Sequence, residues 1–486
     1  MRSVCRMRVS VVVFIQVLDV FLTVSLQEHM LGMRFFHDMI FSFRVLAVIV
    51  CMASLSVDVC AADSLSVGKE AKLPLSWGVR MDVGGVFPTN PFVRGGHFDL
   101  STQEWEYSED REIHHFSDVA VQFNWGVRPD KWQARVYRNP YYGLGVAFPR
   151  FRDDRLGKPV SFYGTYGARI VQLTDWLKLN YELNFGYSTH WNHYDRFVNP
   201  DNISVGWKHT AHVSLFPYFK VVLPCHVDLK VGASLTHFSN GATTVPNKGL
   251  NNYAFSMALM YRMNDSENRV RKDSSLRAPY VPLRLEHEVS ITRSFRQKCY
   301  DGTGTNLLTQ YVQYRHPIFA FSYAPLLRLS YRYRCGLSAD LMYDESVGAH
   351  ADYVENEIDG RMYERVWLGE RKERFNFGVS VKNELVMYGF SFFLNVGYDF
   401  VQGDKEVTRF YEVLGVKVQP RGPVFGSIGV RATYLTKAQF IAWSLGYTFT
   451  GKPLRRKYVA TCMFGSHPMP QGEDLQPIQQ PLPATE

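Results

Sequence analysis

From residue 73 to 449 the chain consists largely of stretches in which apolar and polar residues take turns one by one. Val227, Leu229, Val231, Ala233 and Leu235 alternate with Asp228, Lys230, Gly232, Ser234 and Thr236. A period of two puts each set on its own face of an extended strand. After a loop, Asn251, Tyr253, Phe255, Met257, Leu259 and Tyr261 form the next stripe. Leu327, Leu329, Tyr331, Tyr333, Cys335, Leu337, Ala339, Leu341 and Tyr343 oppose Arg328, Ser330, Arg332, Arg334, Gly336, Ser338 and Asp340, and read as one long strand starting near Leu326.

Strands are expected to begin near Leu73, Ile113, Trp132, Val160, Trp176, Val205, Val227 and Asn251. A second series begins near Val281, Leu307, Leu326, Phe375, Phe390, Arg409, Val424 and Phe440. Each run has about the ten residues or more that a tilted membrane-crossing strand needs, with one face suited to lipid and the other to a polar lumen. The expected fold is therefore all-β, an antiparallel transmembrane β-barrel of the outer-membrane type with about sixteen strands in two series of eight. A soluble sandwich whose apolar face is its core competes with this reading. Run length, and the Tyr, Trp and Phe near run ends, favour the barrel.

Turn lengths follow the same scheme, because outer-membrane barrels have short periplasmic turns and longer outer loops. If the first strand runs outward, the connections at Arg128-Pro-Asp130, Thr174-Asp175, Leu223-Pro-Cys225, Ala324-Pro325, Tyr388-Gly389 and Gln419-Pro-Arg-Gly-Pro423 are periplasmic. Those at 88–112, 149–159, 190–204, 240–250 and 344–374 are outer. The long charged connection at 263–280 breaks the length rule between the two series. One large barrel or two small ones fit, and one is favoured. Val430-Arg-Ala-Thr-Tyr434 echoes Ala233-Ser-Leu-Thr-His237, which marks the second half as a degenerate repeat.

Composition adds an address. Arg34, an apolar core at 45–55 and Val59-Cys-Ala-Ala62 read as an export signal cleaved before Asp63. The expected domains are a targeting segment at 1–62, barrel halves at 63–270 and 271–450, and a Pro-rich tail at 451–486, expected to be disordered. Cys225, Cys299, Cys335 and Cys462 remain after cleavage, with no Cys-x-x-Cys spacing, so neither a disulfide framework nor a zinc site is indicated. The formal charge of +8 on an exported β-protein points to anionic lipid headgroups rather than nucleic acid. His114, His115, His190 and His193 make no convincing ligand set, and no metal or cofactor is expected.

His237 and Ser239 continue the apolar parity of their strand, so two polar side chains leave a face otherwise suited to lipid. An imidazole two residues from a hydroxyl can take its proton and make it a nucleophile. Alternatively, both stand above the membrane at the strand end, solvated and idle.

His237-Phe-Ser-Asn-Gly241 followed by Pro246-Asn-x-Gly249 resembles the catalytic segment of the PagL family of outer-membrane lipid A 3-O-deacylases, and of its longer relatives labelled acyloxyacyl hydrolases. The resemblance spans roughly residues 63–270, and the second half resembles only the C-terminal extension of those relatives. It implies Ser239 as nucleophile, His237 as general base, and an oxyanion site from Asn240 with backbone N–H groups of Gly241 or Ala242. It implies lipid A of lipopolysaccharide, in the outer leaflet of the bacterial outer membrane, as substrate and partner. Arg150, Arg152, Arg155 and Lys158 in one outer loop would contact lipid A phosphates, or are merely solvated. The family's third triad member is a Glu, and Asn251 holds its position here. An amide oxygen can orient a histidine without supplying a full charge. The expected activity is serine-type ester hydrolysis that removes a 3-hydroxyacyl chain. The alternative is an inactive barrel serving as a channel or as a structural or lipid-binding protein, with Arg328 to Asp340 lining a water-filled lumen.

Overall fold

In a computed structural model, described over residues 72–99, 101–102, 104–264, 281–298, 314–355, 362–403, 407–420, 422–434 and 437–454, the chain forms two closed antiparallel barrels of eight strands. The export signal, the linker at 265–280, Cys299, Cys462, the strand start expected at Leu307 and the tail from residue 455 lie outside the described residues, whereas Gly451 to Pro453, expected in the tail, extend the last strand.

The first barrel contains β1 (Leu75–Val86), then a separate hairpin of β2 (Arg94–Asp99) and β3 (Glu104–Glu112) in the first outer loop. It continues through β4 (His115–Gly126), β5 (Tyr141–Ala147), β6 (Gly157–Gln172), β7 (Leu177–Trp191), β8 (Thr210–Val222), β9 (Val227–Ser239) and β10 (Leu250–Arg262). Pairing of β1 with both β4 and β10 closes the ring. The second barrel contains β11 (Arg284–Arg296), β12 (His316–Arg328), β13 (Tyr333–Asp344) and, after the hairpin β14 (His350–Glu355) and β15 (Met362–Trp367), β16 (Phe375–Val386). It ends with β17 (Ser391–Val401), β18 (Phe410–Val418), β19 (Val424–Thr433) and β20 (Lys437–Pro453), and β20 returns to pair with β11. The expectation of one large barrel is thus corrected to two small ones. A ring closes wherever its first and last strands meet, and those meetings are β1 with β10 and β11 with β20.

Two local expectations also change. The run from 327 to 343 is not one strand, since the chain reverses at residues 329–332 between β12 and β13. Leu327 pairs with Cys335 and Arg328 with Arg334, so both arms of the hairpin carry the same parity and the alternation runs through the turn unbroken. Pro325, expected in that turn, lies within β12 opposite His287. Near Trp132 the chain forms a short helix, α1 (Trp132–Val136), and the strand begins only at Tyr141, after Arg138 and Asn139 adopt left-handed backbone.

Alternation along each strand sends charge inward and apolar bulk outward. In the first lumen Glu182 receives Lys230 at 2.5 Å, Gln122 at 2.7 Å and the Tyr141 hydroxyl at 2.8 Å. In the second, Lys417 bridges Glu288 and Glu384 at 2.5 Å each, and Arg334 meets Glu286 at 3.0 Å and Glu384 at 2.5 Å. Eight strands leave an interior just wide enough for side chains to fill. Of the charged face expected from Arg328 to Asp340, Arg334, Ser338 and Asp340 therefore belong to a packed lumen rather than a water-filled one, whereas Ser330 and Arg332 lie in the turn between β12 and β13. The outer mouth of the first lumen is capped by an apolar cluster that includes Phe92, Phe116, Phe151, Trp191, Phe238 and Leu250.

The barrels stand side by side with their ends matched. At the periplasmic end, Trp132 of α1 lies 4.8 Å from Tyr331, and Tyr166 packs on Phe390 at 4.8 Å. At the outer end, the Val245 N–H donates to Gln297 Oε1 at 3.0 Å.

Candidate active site

Along the last turn of β9, Phe238 points inward and is fully buried in the apolar cap, so its neighbours must leave the opposite face. His237 is exposed on the outer wall. Across the β9–β10 ladder it faces Asn251, and its Nδ1 lies 2.7 Å from Asn251 Oδ1. An amide oxygen accepts, so Nδ1 carries the proton and Nε2 presents its lone pair. On the other flank, Ser239 stands opposite Ala211 of β8.

Ser239 is the final strand residue, and the loop that follows folds back over it, leaving it 8% exposed. Gly241 and Ala242 are both left-handed, at φ of 61° and 60°, which reverses the chain so that the Gly241 N–H donates to Ser239 Oγ at 3.0 Å. Asn247 holds the loop from its other arm. Its Oδ1 accepts the Asn240 N–H at 3.1 Å, and its Nδ2 donates to Ser239 Oγ at 2.9 Å. The loop base is tied down by the Lys248 N–H on the Ile203 carbonyl at 2.9 Å and the Gly249 N–H on the Ser204 carbonyl at 3.0 Å.

A hydroxyl has two acceptor lone pairs and one proton. Gly241 and Asn247 occupy both lone pairs of Ser239, which leaves the proton to be given away. Among the described residues no hydrogen bond joins Ser239 to His237, but both border the same small space. A Cβ built on Gly249 would lie 3.0 Å from His237 Cε1 and 3.6 Å from Ser239 Cβ. Catalytic hydrogen bonds of this type commonly tighten only once substrate is bound.

The residues expected at the site are thus partly regrouped. His237, Ser239 and Asn251 come together. Of the expected oxyanion donors, Gly241 aims its N–H at Ser239, whereas the Asn240 side chain is engaged within the loop, donating to the Thr244 carbonyl at 2.8 Å. Asn247, visible in the motif but given no role from sequence, takes the position beside Oγ. The four loop cations do not act as one cradle. Arg150 donates to the Pro149 and Pro159 carbonyls at 2.7 and 3.1 Å. Arg155 pairs with Asp153 at 2.5 Å and lies over the Phe92 ring, bracing the cap. Arg152 and Lys158 are exposed.

Two closed barrels with apolar outer walls define a β-barrel protein of the bacterial outer membrane, and the first carries Ser239, His237 and Asn251 together at its outer rim. The chain belongs to the lipid A 3-O-deacylase (PagL) family. That family's profile matches residues 97–260, and the profile of the acyloxyacyl hydrolase C-terminal domain matches residues 290–452. No curated protein matches the chain. Among solved structures, the siderophore receptor PirA from Pseudomonas aeruginosa is 9% identical over 79% of this chain and 82% of its own, with a TM-score of 0.19. The translocator domain of the autotransporter NalP from Neisseria meningitidis is 10% identical over 85% and 98%, with a TM-score of 0.17. Likenesses at that level bear neither on function nor on the arrangement of the barrels.

Proposed function

We propose that the chain is an outer-membrane esterase that removes an ester-linked 3-hydroxyacyl chain from lipid A by a serine-histidine mechanism. The observation that carries this is Ser239 Oγ, held by two donors with its proton free, beside a histidine oriented by Asn251.

In the forward step Oγ adds to the ester carbonyl while Nε2 of His237 takes the hydroxyl proton. The Gly241 N–H and the Asn247 amide, already aimed at Oγ, lie close to where the carbonyl oxygen becomes negative and stabilise it. The imidazolium then protonates the departing sugar alkoxide, leaving an acyl-enzyme. Water, deprotonated by the same histidine, releases the fatty acid. Asn251 holds the tautomer that makes Nε2 the base. The outward direction of His237 suits a substrate whose chains lie in the bilayer, because such an ester reaches only the outer wall of a barrel. Lys158, exposed in the same loop, suits lipid A phosphates.

Mass spectrometry of lipid A from cells expressing the chain or its Ser239→Ala variant tests this. Loss of one 3-hydroxyacyl chain with the parent and not with the variant is expected. Unchanged lipid A in both sinks the esterase reading.

A further inference from the structure

The two barrels touch at both ends and part between them. The space they leave is a cleft of about 1040 Å³, lined by the outer faces of both. Leu144, Phe162 and Phe185 form one wall, and Ile428, Ile441 and Trp443 the other. Toward the periplasm the barrels meet again, where Met387 of the β16–β17 turn is buried among Tyr142, Tyr166, Tyr181 and Phe390.

We propose that this cleft seats an acyl chain of the phosphorylated glycolipid substrate, so that the second barrel supplies half of the substrate site. The proposal rests on the esterase reading for what happens to that chain, but the occupant can be tested without it. Three observations select an acyl chain as occupant. The cleft begins at the reaction centre, because Ala211, directly opposite Ser239, lines it together with Asn240 and Thr243 of the catalytic loop. Its walls are almost wholly apolar and belong to surfaces that otherwise meet lipid, so a chain slides in from the bilayer without first entering water. At the outer mouth Arg315 of the second barrel lies 5.9 Å from the Trp207 ring of the first and 5.4 Å from Phe295. A cation there complements a headgroup phosphate above an inserted tail. Contact across the mouth continues at the catalytic loop itself, where a Cβ on Gly241 would come within 2.3 Å of Ile441 Cγ1.

With the barrels in contact again below it, the cleft limits the length of chain it takes, and fixing the chain also fixes the ester carbonyl beside Ser239. Gly164 offers a way to shorten it, since a Cβ there meets only the Phe185 carbonyl at 3.8 Å. For Gly164→Trp in the full-length protein, the ratio of kcat/KM for p-nitrophenyl myristate over butyrate should fall by about tenfold or more. Ile428→Trp fills the slot from the other barrel and should do the same, which guards against misfolding of the first variant. Equal changes for both esters, or none, overturn the proposal. If the parent hydrolyses neither ester, the esterase reading is left to the lipid A mass spectra and the cleft is judged by photolabelling. Lipid A carrying a tail diazirine should mark peptides containing Phe162 and Trp443, and lose them in Gly164→Trp. Label spread evenly around both outer walls, or equal marking by diazirine phosphatidylethanolamine, overturns it.

Discussion

Exchanging Asn251 for aspartate adds one negative charge at the atom that now faces His237, with almost no change of shape. The amide oxygen lies 2.7 Å from Nδ1, so the centres of a carboxylate and an imidazolium in this pose would be about 4 Å apart. Their attraction is about 1 kcal/mol at the dielectric of water and about 4 kcal/mol at the effective value typical near a protein surface. Asn251 is half-buried and His237 exposed, so the gain lies between those limits. At 1.36 kcal/mol per tenfold, that is roughly 5-fold to 10³-fold in rate. The loss of about 10⁴ known for acid-to-amide exchange in serine triads includes adoption of the wrong tautomer, which the Oδ1 contact prevents here. Because the imidazolium exists only after proton transfer, the Asn251→Asp gain should appear in kcat with KM nearly unmoved. Initial rates of deacylation across a range of lipid A mole fractions in detergent would measure both. An unchanged or lower kcat in a folded Asn251→Asp protein refutes the assignment of Asn251 as an uncharged stand-in for the triad acid.

Other outcomes follow from single contacts. Asn247→Ala removes one of the two donors on Ser239 Oγ and should lower kcat by about 10²–10³, whereas a role confined to loop folding would appear as lost thermal stability instead. Gly249→Ala should cost about 1–2 kcal/mol for left-handed backbone and press a methyl against His237 Cε1. Hydrolysis should collapse while the heat-modifiable gel shift of a folded barrel persists. Lys417→Met leaves Glu288 and Glu384 facing each other with only Arg334 and Lys382 to compensate. Thermal unfolding in detergent should show a loss toward the lower end of about 3–5 kcal/mol, and an unchanged Tm would mean the second lumen does not depend on that bridge.

Much of this architecture was legible because a strand with one lipid face and one lumen face writes its period into the residues. Two series of eight strands were legible, although β5, β12 and β13 begin well after the starts expected at Trp132, Leu307 and Leu326, and the placement of His237 and Ser239 on an outer wall follows from the parity of β9. Periodicity could not show the reversal at 329–332, where a short turn preserves parity, nor the helix at Trp132, whose apolar spacing mimics the start of a strand. It was equally silent on closure, since the meetings of β1 with β10 and β11 with β20 join residues far apart in the chain. At the site, Asn251 was expected as the third member from the family resemblance and its place on the apolar parity of β10, and the strand register sets it opposite His237. The position of Asn247 did not, because it depends on left-handed backbone at Gly241 and Ala242 and on anchorage of the loop to Ile203 and Ser204. The echo between halves is also placed by the fold. Val430 to Thr433 lie on β19, the seventh strand of its barrel, as β9 is of the first, and exposed Tyr434 stands where the motif has His237. Under the proposed reading the chemistry therefore belongs to one barrel of the pair.

The outward direction of His237 changes what substrate concentration means. A barrel whose reactive edge opens sideways samples a two-dimensional sheet, so its turnover follows the surface density of lipid A among its neighbours rather than any amount per volume. Diluting the same lipid into inert detergent at constant bulk concentration would slow such an enzyme in proportion to mole fraction. Crowding of the outer leaflet would set its pace in the cell.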